Sequence, residues 1–168
     1  MPTQNETYYW LVGRHDDVRL ECIEITHPSF TKNYRFVRNH ADGVRVKHEN
    51  GTYYDYEYLP LTIAASKSSD NLQQGFTIGI GDVGDIMPKE IQRLRNGSYP
   101  NVRPIVNYRV YLTSDLTQPM TSVLGLEVTD NQRKKSGAVF SCKAKETNKT
   151  STGVKYALDK FPTLRTFL

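Results

Sequence analysis

Val44-Arg45-Val46-Lys47-His48-Glu49-Asn50-Gly51-Thr52-Tyr53-Tyr54-Asp55-Tyr56-Glu57-Tyr58 is the stretch that decides the fold. Two β-prone runs flank Asn50-Gly51. That dipeptide suits a two-residue type I′ turn, because both central residues need positive φ. The second run is dense in aromatic residues, which favour the pleated, half-buried surface of a sheet. Its alternation gives the strand one wetter face, with Tyr54, Tyr56 and Tyr58 on one side. A tight aromatic hairpin is therefore expected over 44–58, and it sets an antiparallel frame for the rest of the chain.

Working outward, residues 17–26 read as a strand. Val18, Leu20 and Cys22 alternate with Arg19 and Glu21, and the apolar phase then switches to Ile23 and Ile25. Such a switch implies a bulge or a strand covered on both faces. His27-Pro28 ends it, and a short partner strand follows at 34–38. Beyond the hairpin, Leu59-Pro60-Leu61 leads to Thr62-Ile63-Ala64-Ala65, and Phe76, Ile78 and Ile80 alternate in another strand. Three further strands are expected, carried by Val106, Tyr108, Val110 and Leu112, by Leu124, Leu126 and Val128, and by Ala138, Phe140 and Cys142. One helix interrupts them. Asp82 or Asp85 can cap it, Ile86, Met87, Ile91 and Leu94 recur at helical spacing, and Arg93 and Arg95 favour its C-terminal end before Gly97. The polar segments 66–74, 113–121 and 143–153 read as mobile connections, and the chain returns to apolar chemistry near Tyr156, Leu158 and Phe161. The expected class is mainly β: a β-sandwich or barrel of about seven to nine strands with one flanking α-helix. It forms a single domain over 1–168, with 1–16 as an N-terminal arm anchored through Tyr8-Tyr9-Trp10.

Composition narrows the function. With 168 residues, 38% hydrophobic and 24% charged, the chain can bury a core without metal or disulfide. No apolar run approaches the roughly 20 residues of a membrane span, and Met1 to Thr7 is polar with no signal segment, so an intracellular or virion setting is expected. Cys22 and Cys142 sit in strand-like segments and read as small buried hydrophobes. The net charge of +4 lacks the basic stripe of a dedicated nucleic-acid binder. Its one tight basic cluster, Arg133-Lys134-Lys135, lies between turn residues and reads as a solvated hairpin tip.

Chemistry is sparse. His15, His27, His40 and His48 are scattered without metal or triad spacing. Asp82 and Asp85 could pair for acid–base work, but capping the following helix explains them better. Gly79-Ile80-Gly81-Asp82-Val83-Gly84 matches the spacing of a phosphate-cradling glycine loop. No βαβ alternation follows it, however, and Asp82 would repel a phosphate. No enzymatic activity, cofactor or metal is expected.

Taken in order, several of these features resemble a family of minor tail proteins of long-tailed bacteriophages whose function is unknown. They are Leu20-Glu21-Cys22-Ile23-Glu24-Ile25-Thr26-His27-Pro28, the aromatic hairpin leading to Leu59-Pro60-Leu61, the Ile80-Gly81-Asp82-Val83 corner, the Met87-Pro88-Lys89-Glu90-Ile91-Gln92-Arg93-Leu94-Arg95 helix, the strand over 108–112, and Phe161-Pro162-Thr163-Leu164. Thr163 departs from the glycine expected there. The resemblance implies a virion protein at the distal tail tip, assembled in host cytoplasm, with a tail-tube-like fold packed into six- or three-fold rings. Its partners would be copies of itself, the tail tube protein, hub or tip proteins and the tape-measure protein, with DNA only in transit through the lumen.

Ring assembly also gives exposed strands and hairpins a purpose, since an edge that invites aggregation in a monomer becomes adhesive when a partner completes it. Candidate contact residues are Tyr8, Tyr9, Trp10, Tyr54, Tyr56 and Tyr58, with the loops at 66–74 and 113–121. Tyrosine suits such surfaces, its ring packed and its hydroxyl wet. The alternative is a small β-barrel binding module that stacks single-stranded nucleic acid or carbohydrate on surface tyrosines.

Overall fold

A computed structural model describes residues 4–12, 17–65, 75–81, 86–99, 101–134 and 137–144. His15, the loop 66–74, the acidic pair Asp82 and Asp85, Lys135 and everything after Ala144 lie outside the described residues. The elements run α1 (Gln4–Val12), β1 (Arg19–Thr26), β2 (Tyr34–Val37), β3 (Val44–Lys47), β4 (Tyr53–Tyr58), β5 (Leu61–Ala65), β6 (Gly75–Ile80), α2 (Ile86–Asn96), β7 (Ile105–Leu112), β8 (Thr121–Lys134) and β9 (Gly137–Lys143). All nine strands join one sheet in the order β3-β4-β2-β1-β7-β8-β9-β6-β5. Every pairing is antiparallel except the short parallel contact of β2 with β4. Among the described residues no helix is long and apolar enough to cross a membrane.

One connection dictates the shape of this sheet. β4 and β5 are separated by seven steps in the strand order, about 34 Å across a flat sheet at roughly 4.8 Å per strand. Yet only Leu59-Pro60 joins them, and three consecutive Cα steps reach at most about 11 Å. The sheet must therefore curl until its two ends nearly meet. It stays open, since no ladder joins β5 to β2 or β4. The concave face encloses the main core: Ile23 and Ile25, Tyr34 and Phe36, Leu61, Ile78 and Ile80, alternate residues of β7, and Leu126, Val128, Phe140 and Cys142. Met87 of α2 joins this cluster, so the helix packs on the same interior.

A second, smaller core lies on the convex face, where Leu20, Cys22, Val37 and Tyr111 meet Val46 and Tyr56 of the hairpin. Both sets of apolar residues in β1 are thus covered. The phase switch between Cys22 and Ile23 is a strand buried on two faces, with unbroken register from Arg19 to Thr26 against β7, and it is no bulge. The hairpin itself turns through three residues, not two. Gly51 N–H donates to the His48 carbonyl at 3.0 Å, His48 N–H to Thr52 at 3.0 Å, and Gly51 takes φ of +80°. Glu49-Asn50 is an ordinary turn and Gly51 supplies the left-handed third position. The reason is register: this loop pairs Val46 with Tyr54 and Val44 with Tyr56, putting four apolar side chains on one face. A two-residue loop would slip the pairing and set Val46 against Asp55.

Two other expectations shift for physical reasons. Residues 4–12, expected as part of an N-terminal arm, form α1, so the described residues hold two helices and not one. Tyr9 of α1 packs against the main core, which gives the segment tertiary support that its weak amphipathic pattern did not announce. In β8 a bulge lies opposite Asn107, where the register moves from Val106↔Leu126 to Tyr108↔Val123. Gly125 adopts φ of +73° there. The extra residue flips the phase, so Leu124 is exposed while Val123 and Leu126 face inward.

Candidate functional site

The sheet offers two rims of opposite character. The β3 rim carries Arg45 and Lys47, and Lys47 N–H already donates to the Leu116 carbonyl at 2.9 Å. Charges and a covering loop are the usual means of protecting an edge. The β5 rim, Leu61-Thr62-Ile63-Ala64-Ala65, has no charge, no internal proline and no bulge. Gly81 N–H donates to the Pro60 carbonyl at 2.8 Å, and antiparallel alternation then points the amides of Thr62 and Ala64 at β6. The amides of Leu61, Ile63 and Ala65 point away, along an edge unpaired among the described residues. At the Leu61 end a cleft of about 480 Å³ opens between this rim and the end of β2, walled by Arg38, Asn39, Tyr58 and Thr62 and floored by Gly79 and Gly137.

The residues expected at a contact surface divide. Trp10 and Leu11 of α1 are 63% and 78% exposed, and Trp10 stacks edge-on against Tyr9 at 5.4 Å with the Arg19 guanidinium 6.0 Å above its ring. Tyr8 lies in α1, with its side chain outside the described residues. Tyr58 is 46% exposed at the cleft. Tyr54 and Tyr56 face inward over the second core, and Tyr56, 2% exposed, presents no surface to a partner. The hairpin's wetter side carries Tyr53, Asp55 and Glu57. The loop 113–120 is fastened: Asp17 accepts hydrogen bonds from Ser114 N–H at 3.1 Å and Ser114 Oγ at 2.9 Å, and Met120 is buried.

Beneath the hairpin lies a polar network that strand alternation did not reveal. Glu24 Oε1 accepts from Arg35 Nε at 2.8 Å, and Oε2 accepts from Arg109 Nη1 and Asn107 Nδ2, each at 3.2 Å. Arg109 Nε reaches Glu49 Oε2 at 3.0 Å, and Asn107 Oδ1 accepts the bulge amide of Gly125 at 2.9 Å. The Arg35 guanidinium lies 4.2 Å over the Tyr54 ring, and His48 Nε2 is 2.9 Å from the Tyr56 hydroxyl. Burial alone would raise the Glu24 carboxyl, but the Asn107 hydrogen bond and the charges of Arg35 and Arg109 outweigh it and hold it below the usual range. Burial and the Arg109 charge push His48 down despite Glu24 and Glu49. Every charge here is spent on another element of the same chain, so the network positions the hairpin. In sequence, nothing marks Glu24 or Arg109 as buried, each standing between apolar neighbours of its strand.

A second buried carboxylate, Glu90 of α2, accepts from Tyr34 Oη at 3.0 Å, from Thr31 Oγ1 and from Thr31 N–H at 3.3 Å. It fastens the helix to the start of β2. His27 is likewise committed, with Nε2 3.0 Å from the Val102 carbonyl oxygen and Nδ1 accepting Ser29 N–H. Gly79 and Gly81 leave room for Thr62 and Pro60 across the β5–β6 pair, so packing accounts for two of the fingerprint glycines. Cys22 and Cys142 belong to different cores and are unbridged.

These features define an open, curled, mainly β domain with a neutral rim that is unpaired among the described residues. The chain belongs to the family of a domain of unknown function, DUF1833, whose pattern matches residues 12–137. No curated protein matches it.

Proposed function

We propose that this protein is a non-enzymatic structural subunit that assembles with copies of itself into a ring at the distal end of a bacteriophage tail, linking the tail tube to the hub around the DNA channel. The observation that carries the reading is the contrast between the two rims. One is charged and contacted by a loop, and the other is neutral, free of bulges and unpaired among the described residues. A rim of the second kind gains stability when a strand from another subunit completes it. The exposed Trp10-Leu11 end of α1 supplies a different patch, and ring contacts are heterologous, needing two unlike surfaces. The tail location rests on the sequence resemblance. Negative-stain microscopy of the purified protein, alone and with its tail neighbours, should show rings. A strictly monomeric species that also fails to restore tails in a virus lacking its gene would falsify the reading.

The cleft beside Tyr58 and Arg38 favours one other reading, a site for single-stranded nucleic acid or carbohydrate. Salt-sensitive binding of an oligonucleotide, lost in Tyr58→Ala and unaccompanied by rings, would select it.

A further inference from the structure

We infer that residues 154–158 of one copy add as a strand to the β5 rim of the next copy. This rests on the ring reading and identifies the partner of its exposed edge. Four observations converge on that segment.

The first is the pattern of the acceptor. Leu61 and Ile63 face the core, and Thr62 and Ala64 are exposed on the other side. The five residues Val154-Lys155-Tyr156-Ala157-Leu158 alternate in the same way, so Val154, Tyr156 and Leu158 would extend the apolar interior while Lys155 and Ala157 stay with Thr62 and Ala64. The lengths also agree, five residues against five.

The second is punctuation. Gly153 precedes the segment and Pro162 follows it, and residues of these kinds bound strands.

The third is reach. The described chain ends at Ala144, just beyond β9, and residues 145–153 extend to about 30 Å at roughly 3.3 Å each. That is enough to leave the parent sheet and meet a neighbour.

The fourth is charge. Lys145, Lys149, Lys155 and Lys160 outnumber Glu146 and Asp159 along this stretch. The β3 rim, with Arg45 and Lys47, repels such a strand, and the uncharged β5 rim does not. Donor and acceptor are different surfaces of one chain, so the contact is heterologous and repeats around a ring.

Mixing two full-length chains, one with Ala64→Cys and the other with Ala157→Cys, tests this. Cys22 and Cys142 are buried, so the introduced thiols are the ones that react. Oxidation of the assembled mixture should give a disulfide-linked heterodimer several-fold above the level of either chain alone. If a chain carrying both substitutions closes the disulfide within itself at every dilution, with no linked dimers, donation between copies is overturned. Tyr156→Pro in the full chain should abolish rings while leaving the unfolding transition in place. Rings that form undiminished in that variant overturn the role of residues 154–158 but leave the ring reading standing. A wild-type protein that makes no rings and joins no tails removes both.

Discussion

Arg109 of β7 and Glu49 of the β3–β4 turn, separated by 60 residues in the chain, meet with Nε 3.1 and 3.0 Å from the two carboxylate oxygens. This contact pins the tip of the hairpin to the convex face of the sheet. Arg109 is buried, and its guanidinium also serves Glu24.

Removing Arg109 would take one of two cationic partners from the buried Glu24 carboxylate, which keeps Arg35 and Asn107. Arg109→Met should therefore destabilise the fold by about 1.5–3 kcal/mol, the usual worth of a charge-assisted hydrogen bond at a buried site. Glu49 is more than a third exposed, and Glu49→Gln should cost no more than about 1 kcal/mol. Urea unfolding of both variants measures the difference, and equal losses would contradict the burial asymmetry.

Stability should fall on acidification in two stages. The folded protein holds His48 below its ordinary 6.5, so below that pH the unfolded chain takes up a proton that the folded chain resists. Glu24 and Glu90 are held below 4.5, so their contribution is complete above that value and disappears as the pH drops through their lower folded values. Thermal unfolding from pH 8 to 3 follows both stages. His48→Gln should flatten the curve between pH 7 and 5 and leave the carboxylate fall intact.

Gly51 and Gly125 hold φ of +80° and +73°, with nothing within 4 Å of where a Cβ would stand. Alanine at either position should thus cost only the backbone penalty, about 1–2 kcal/mol. Denaturant midpoints measure it, and a loss beyond that range would show that the turn or the bulge had rearranged.

Both cysteines are buried, which pushes each thiol up to about 12. A thiol reagent at pH 8 should label neither in the folded protein and both after unfolding in guanidinium. Rapid labelling of either one under native conditions would mean that its core opens locally.

Much of this architecture was legible because strand alternation and helix spacing are local signals. The β7 set of Val106, Tyr108, Val110 and Leu112, Met87 and Ile91 of the helical stripe and the hairpin centred near Asn50 are where periodicity places them, whereas Ile86 of that stripe is exposed. What escaped were features set by distant partners. Tyr56 looked like a surface aromatic because nothing in its neighbourhood announces that the hairpin folds onto Leu20, Cys22 and Tyr111. Leu124 looked like a core residue because a bulge at the glycine beside it reverses the phase. The burial of Glu24, Glu90 and Arg109 escaped as well, since a strand or helix pattern records polarity and not what will lie on top of it. The proposed contact surface was legible only in part. Trp10 and Tyr58 are exposed, whereas the β5 rim, unpaired among the described residues, follows from strand order, which no local pattern contains.

The Leu59-Pro60 link between β4 and β5 has a mechanical consequence. Because it reaches at most about 11 Å, it works as a short clasp across the mouth of the curled sheet. Covalent geometry thus caps how far that mouth can open, whatever the side-chain packing. Trimming the core should loosen the walls without prying the jaws apart, and near the clasp no more than a single extended segment can be admitted.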